Sequence, residues 1–288
     1  MKKGIRRGIQ RYQCHYCGIS FSSKRRPLKQ NYNLFQDYFY HRQTVIELAA
    51  KYGHCERWVR QEINRYQPQL KIAVARPITL VMDATFFGKR IDKFGVLVAK
   101  DTITSKVVGY QFIQTEKNEA YQAMVSSLQS LGFVINSITI DGKSGLFKAF
   151  PGIPVQMCHF HQQAIITRYL TKKPKMAASI DLRRVAFYLN KATQKRFLLI
   201  LSFWYKRHAV FINEKTVNFE TGKWRYTHRR LRSAYRSIRN NIPYLFTHKT
   251  HWEHAIPNTT NTLDGGVFSP LKTLLRIHRG ISRELKEN

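Results

Sequence analysis

Three aspartates stand where a carboxylate needs a reason. Asp83 closes the apolar run Ile78–Met82 in PITLVMDATFFG, and Asp141 closes a second run in VINSITIDGKSG. Asp264 follows a cluster of Asn and Thr in NTTNTLDGGVFSP. An acid at the end of a buried strand is costly unless a donor or a cation compensates it. Taken alone, Asp83 is either a structural carboxylate tied to backbone donors or a metal ligand. A thiol and an imidazole, Cys158 and His161 in MCHFHQ, follow a third apolar stretch, Ile153–Met157. With no second pair, those two do not make a zinc site, and two core residues at a strand end is the plainer reading. A further thiol pair, Cys14-x-x-Cys17-Gly18 in RYQCHYCGISF, is half of a zinc knuckle. Its spacing lets Cys14 and Cys17 face one Zn2+, but a structural zinc takes four ligands. The expectation is a partial zinc ribbon over 1–26 whose first cysteine pair lies upstream of Met1.

The charge says what such groups would act on. The chain carries 49 Lys+Arg against 17 Asp+Glu in 288 residues, a net charge of +32. A domain with that balance calls for a polyanion, with nucleic acid as the first reading and an anionic membrane surface as the second. No apolar run is long enough to cross a bilayer, and with nucleic acid as the first reading no membrane partner is expected. The basic start MKKGIRRGIQRYQ has no apolar stretch behind it and is not a secretory signal. The four cysteines do not form a disulfide framework, which favours a reducing, cytoplasmic location beside the nucleoid.

The elements that must position these residues follow in order. Within 27–70, Thr44-x-x-Glu47 is a capping box opening a helix with Val45, Leu48, Ala49 and Tyr52 on one face. Gly53 ends it, and a second helix from about Glu56 turns Val59 and Ile63 inward. Two short helices joined at a glycine form a helix-turn-helix pattern. The outer face of the second helix offers Arg57, Arg60, Gln61, Asn64 and Arg65, side chains that reach phosphates and base edges. Pro68 and Pro77 bracket a short basic linker. Region 76–165 then reads as the Asp83 strand, a strand over Phe94–Lys100, a turn containing Asp101 and a strand over Lys106–Gln114. A helix over Asn118–Leu131, the Asp141 strand, a short helix over Gly145–Phe150 and the strand Ile153–Met157 follow. Region 166–254 is basic, aromatic and helical in period, an all-helical insertion in which Trp204, Trp224 and Trp252 are core or snorkelling residues. Region 255–288 ends on a helix with Phe268, Leu271, Leu274 and Leu275 in a stripe.

That order is the order of an α/β RNase H-like mixed-sheet core, in which adjacent strands bring two acids together and a late helix brings a third. Three converging carboxylates cannot all stay ionised without cations. Two Mg2+ or Mn2+ ions about 3.5–4 Å apart answer that need, and their chemistry is phosphodiester cutting and joining.

The motifs MDATFFGKR, ITIDG, MCHFHQ and NTTNTLDGGVFSPLK together resemble Mutator-type bacterial insertion-sequence transposases with a DDE catalytic core, and QRYQCHYCGISF resembles the zinc-ribbon start of such proteins. The resemblance covers about residues 10–285. It implies cleavage of double-stranded DNA at terminal inverted repeats and joining of 3′ ends to target DNA. It makes Asp83 and Asp141 metal ligands and gives His161 a place near the scissile phosphate. Asp264 falls where the family motif has Glu, one methylene longer; Glu253, and behind it Glu284, are the other candidates for the third acid. Two element ends must meet, so at least a homodimer is expected. The alternative is a catalytically inert remnant that only binds DNA. A nuclease with the same acids would have no need of the helix-turn-helix or the insertion.

Overall fold

The structure, a computed structural model, describes residues 1–6, 8–22, 32–67, 74–143, 145–278 and 280–287. The expected boundary near residue 26 and the linker starting at Pro68 lie outside the described residues. The chain forms two compact units, Met1–Leu70 with Leu274–Asn288, and Lys71–Thr273.

The first unit opens on β1 (Lys2–Arg6), β2 (Ile9–Gln13) and β3 (Ser20–Ser22), an antiparallel sheet in that order. Helices α1 (Tyr32–Phe39), α2 (Val45–Tyr52) and α3 (Glu56–Arg65) follow. The capping box is present: Thr44 Oγ1 accepts from the Glu47 N–H, and Glu47 accepts from the Thr44 N–H. Gly53, at φ 66°, closes α2 in the left-handed region that a Cβ disfavours. Leu34, Phe39, Leu48, Val59 and Ile63 are buried together with Leu285.

The second unit is built on a five-stranded mixed sheet. Strands β4 (Pro77–Phe87), β5 (Phe94–Asp101) and β6 (Val107–Ile113) run antiparallel. After α4 (Asn118–Ser130), β7 (Val134–Ile140) and β8 (Val155–Met157) add parallel to β4, giving the order β6-β5-β4-β7-β8. This arrangement is compatible with an RNase H-like core. Asp101 does more than turn: its carboxylate accepts from Thr104 and pairs with Arg76. One sheet face, with Ile78, Leu80, Met82, Ile138 and Ile140, is covered by Tyr121, Met124, Val125 and Leu128 of α4. On the other, Val81, Val96 and Val98 pack against Leu263 and Phe268. Both faces of β4 are therefore covered, as its nearly continuous apolar run requires.

Helices α5 (His159–Leu170), α6 (Ala177–Tyr188) and α7 (Gln194–Asn213) lead to β9 (Lys215–Val217) and β10 (Trp224–Tyr226), and α8 (Arg229–Leu245) completes the helical layer. Region 166–254 is thus not all-helical, contrary to what its sequence period suggested. Its hairpin has β-branched Thr216 and Val217 facing the aromatic Trp224 and the Arg225 position. The Asn218 side-chain Oδ1 accepts from the Glu220 and Thr221 N–H groups, and Gly222 at φ 63° turns the chain. Trp204 is core and donates to the Ala178 carbonyl, whereas Trp224 and Trp252 are exposed. The short helices α9 (Thr247–Thr250) and α10 (Asn261–Leu263), a π-helical turn over Asp264–Phe268, α11 (Ser269–Ile277) and α12 (Arg283–Glu287) end the chain.

Candidate functional site

Strand register places the first two acids. Thr79 pairs with Ser137 and Val81 with Thr139 on the parallel strands β4 and β7. Side chains alternate with period two, so the next position on the same face is Asp83 on one strand and Asp141 just past the end of the other. Adjacent strands lie about 4.8 Å apart, and the two carboxylates repel one another.

The third acid arrives on the segment that covers this face. Thr79 Oγ1 donates to the His254 carbonyl at 2.8 Å and Thr139 Oγ1 to the Pro257 carbonyl at 2.8 Å. The His159 N–H bonds the Asn258 carbonyl, and the Thr260 N–H lies 3.4 Å from the Cys158 sulfur. Lys100 Nζ reaches the Thr262 carbonyl, while Leu263 and Phe268 sit on Val81. Asp264 is thereby carried to the Asp83 end of the face, where its charge acts on Asp83. Its side chain is exposed.

Cys158 and His161 come from the start of α5. The Cys158 N–H bonds the Ile140 carbonyl at 2.8 Å, which seats the first turn of α5 beside Asp141. Cys158 is fully buried; His161 is half-buried.

The electrostatics follow from this placement. Burial is the largest cause that pushes Asp83 up to about 7, and the charges of Asp141 and Asp264 add to it. A hydrogen bond from the Ala84 N–H at 2.8 Å and the charge of His161 act the other way. His161 is pushed up to about 9, first by its hydrogen bond with Cys158 and then by the charges of Cys158, Asp83 and Asp141, against burial. Burial raises the Cys158 thiol, but His161 and the Thr260 N–H outweigh it and bring it below its usual value.

A half-buried ion pair lies next to Asp141. Lys143 pairs with Glu116, and its N–H bonds Asp141 Oδ1 at 3.1 Å, while Tyr121 donates to Glu116 at 3.0 Å. Glu116, Lys143 and the anchoring Thr79, Thr139 and Thr260 were not anticipated. The sequence held one signal for two of them: Thr79 and Thr139 are polar residues inside apolar strands, four and two positions before the acids they accompany.

An all-oxygen set of two half-buried carboxylates and one exposed carboxylate, one of them held up in pKa by burial and by its like-charged neighbours, suits a hard ion such as Mg2+ or Mn2+. The fit is open rather than tight. Among the described residues the only three His, Cys, Asp or Glu side chains with ligand atoms all within 4.8 Å of one another are His251, Glu253 and His254. Glu253 does not join the aspartates: its turn is pinned to Thr79, four residues and about 13 Å along β4 from Asp83.

In the first unit, Arg57, Arg60, Gln61, Asn64 and Arg65 are all exposed on α3; Arg60 pairs with Glu56 and Arg65 with Glu62. Cys14 and Cys17 lie in the turn between β2 and β3. Hydrogen bonds from Cys17 and Tyr16 hold the Cys14 thiol below its usual value, and no third ligand joins the pair among the described residues.

No protein-family model matches the sequence, and no curated protein matches it. Among solved structures, the chain is similar to one in a cryo-electron-microscopy structure of the simian T-cell lymphotropic virus intasome in complex with PP2A regulatory subunit B56 gamma. The identity is 11% and the TM-score 0.23, over 69% of this chain and 73% of that one. No helix among the described residues is long and apolar enough to cross a membrane.

Proposed function

We propose that this chain is a DNA transposase of the Mutator-type, DDE class, cutting and joining phosphodiesters at the terminal inverted repeats of its own element. The observation that carries the reading is the same-face register of Asp83 and Asp141, with Asp264 and His161 brought electrostatically within reach of Asp83. A chain with net charge +32 meets a polyanion readily, and the motif resemblance supplies the reaction class.

In this reading Asp83, Asp141 and Asp264 hold divalent cations. Bound there, Mg2+ or Mn2+ would supply activation of a water or 3′-hydroxyl and charge stabilisation at the leaving oxygen. The protein's own groups do the rest. The Ala84 N–H fixes one oxygen of Asp83 and so aims the other. His161, pushed up to about 9, is cationic at neutral pH and offers an N–H to a phosphate oxygen. Buried Cys158 keeps that ring charged and oriented. Thr79 and Thr139 fix the segment bearing Asp264.

The reading divides the chain into five parts: 1–26, a partial zinc ribbon with Cys14 and Cys17 as Zn2+ ligands; 27–70, a helix-turn-helix reading DNA through Arg57, Arg60, Gln61, Asn64 and Arg65; 76–165 and 255–288, the RNase H-like core; and 166–254, the insertion. The protein works on double-stranded DNA beside the nucleoid, at least as a dimer when two ends are paired.

The test is Mg2+- or Mn2+-dependent cleavage of a labelled duplex carrying the element's own end. Wild type cuts, and Asp83→Ala and Asp141→Ala bind the duplex without cutting. Binding without cutting by the wild type would instead identify an inert, DNA-binding remnant.

A further inference from the structure

We propose that His251, Glu253 and His254 form a separate site for one first-row transition-metal ion of the Zn2+ kind. The three ligand atoms lie within 4.8 Å of one another. His251 Nδ1 is 3.5 Å and His254 Nε2 3.6 Å from Glu253 Oε1, and the two imidazole rings are parallel to within 7° with centroids 6.1 Å apart. Zn2+ bonds of about 2.0–2.1 Å in a tetrahedron put ligand atoms about 3.3–3.5 Å apart. The two separations to Glu253 are already near that value, and the two imidazole nitrogens lie within 4.8 Å of one another.

The turn that carries these ligands is already built. The His251 N–H bonds the Thr247 carbonyl, the His254 N–H bonds the His251 carbonyl, and the Ala255 N–H bonds the Trp252 carbonyl. Ala255 holds a left-handed φ of 48°, which a non-glycine residue adopts only when its surroundings enforce it. The His254 carbonyl accepts from Thr79 Oγ1, so the turn is tied to the sheet. Two imidazoles and one carboxylate favour Zn2+ and its neighbours over Mg2+ or Ca2+. Three protein ligands leave a position for water or an exogenous donor, and the side chains are 30–46% exposed, so an ion can enter. The inference stands apart from the transposase reading, because the turn is anchored at Thr79, about 13 Å along β4 from Asp83.

The experiment is Zn2+ binding to the metal-free full chain in excess Mg2+, read by equilibrium dialysis with elemental analysis. The proteins compared are wild type, a His251→Asn/His254→Asn double variant, Glu253→Gln and Cys14→Ser/Cys17→Ser. The double histidine variant is expected to bind one Zn2+ fewer than wild type, and the cysteine variant to keep that ion. Glu253→Gln, which leaves both imidazoles and the turn in place, is expected to lose at least tenfold in affinity. Equal stoichiometry in wild type and the histidine variant, or an unchanged affinity in Glu253→Gln, overturns the proposal. So does loss of the ion in excess Mg2+.

Discussion

Asp83 and Asp141 stand side by side on neighbouring parallel strands, two residues beyond the Val81–Thr139 pair and on the same sheet face. Burial first, and the charges of Asp141 and Asp264 after it, push the Asp83 carboxyl up to about 7.

Removing that charge is expected to stabilise the metal-free protein. An acid whose folded pKa lies above its unfolded value binds protons more tightly when folded, so stability falls as pH rises from about 4 to about 7. Asp83→Asn, nearly isosteric, abolishes that slope and is expected to gain about 1–3 kcal/mol at pH 8, less than the full shift because the site is partly open to water. Thermal unfolding across pH checks it. Added Mg2+ should stabilise the wild type and leave Asp83→Asn unmoved; equal responses would remove Asp83 from the ion's ligands.

Asp264→Glu is expected to raise strand cutting by about tenfold, a change of about 1.4 kcal/mol in barrier. The Asp264 carboxylate is exposed and does not close a tight trio with the other two acids, and a further methylene extends its reach toward them. A fall in the single-turnover rate would mean that the site is adapted to the shorter acid.

The charge on His161 depends first on Cys158. Cys158→Ala should therefore bring the imidazole titration, followed by NMR, down from about 9 toward its ordinary range near 6.5. The sign is that of a histidine raised by a partner. Its stabilisation is whole below pH 6.5 and is lost as pH rises through 9. An unshifted midpoint in the variant would assign the elevation to the aspartates instead.

On α3, Arg57 is exposed. Arg57→Ala is expected to weaken binding to DNA of any sequence and to reduce the magnitude of the slope of log K against log salt by about 1, as the loss of one phosphate contact does. Gln61→Ala should instead relax sequence preference at one base pair. Filter binding at several salt concentrations separates the two, and an unchanged slope and affinity in both would take α3 off the DNA.

Local chemistry alone determined several parts of this molecule. The runs before Asp83 and Asp141 are strands, because short stretches dominated by Ile, Leu, Val and Met and broken only by Thr, Ser or Asn favour an extended, largely buried backbone. Thr44 and Glu47 cap α2, and Gly53 ends it, because a helix end needs side-chain partners and a residue that tolerates positive φ. The face formed by Tyr121, Met124, Val125 and Leu128 follows from the helical period. Each of these rests on residues within a turn or two of one another.

The tertiary structure decided what has no local period. Register between β4 and β7 is a relation across almost 60 residues, and only it sets Asp83 beside Asp141. The hydroxyls of Thr79 and Thr139 find carbonyls 175 and 118 residues away, which aims the segment carrying Asp264. The hairpin at 215–226 interrupts a helical region because Asn218 and Gly222 close a turn that the surrounding basic and aromatic residues conceal. Glu253, a candidate third acid by its position in the chain, instead lies between two histidines at the far end of β4, because its turn is anchored by Thr79 rather than by the acids. The sequence carried the kinds of groups this protein has; the pairing of strands and the anchoring of one loop decided which of them meet.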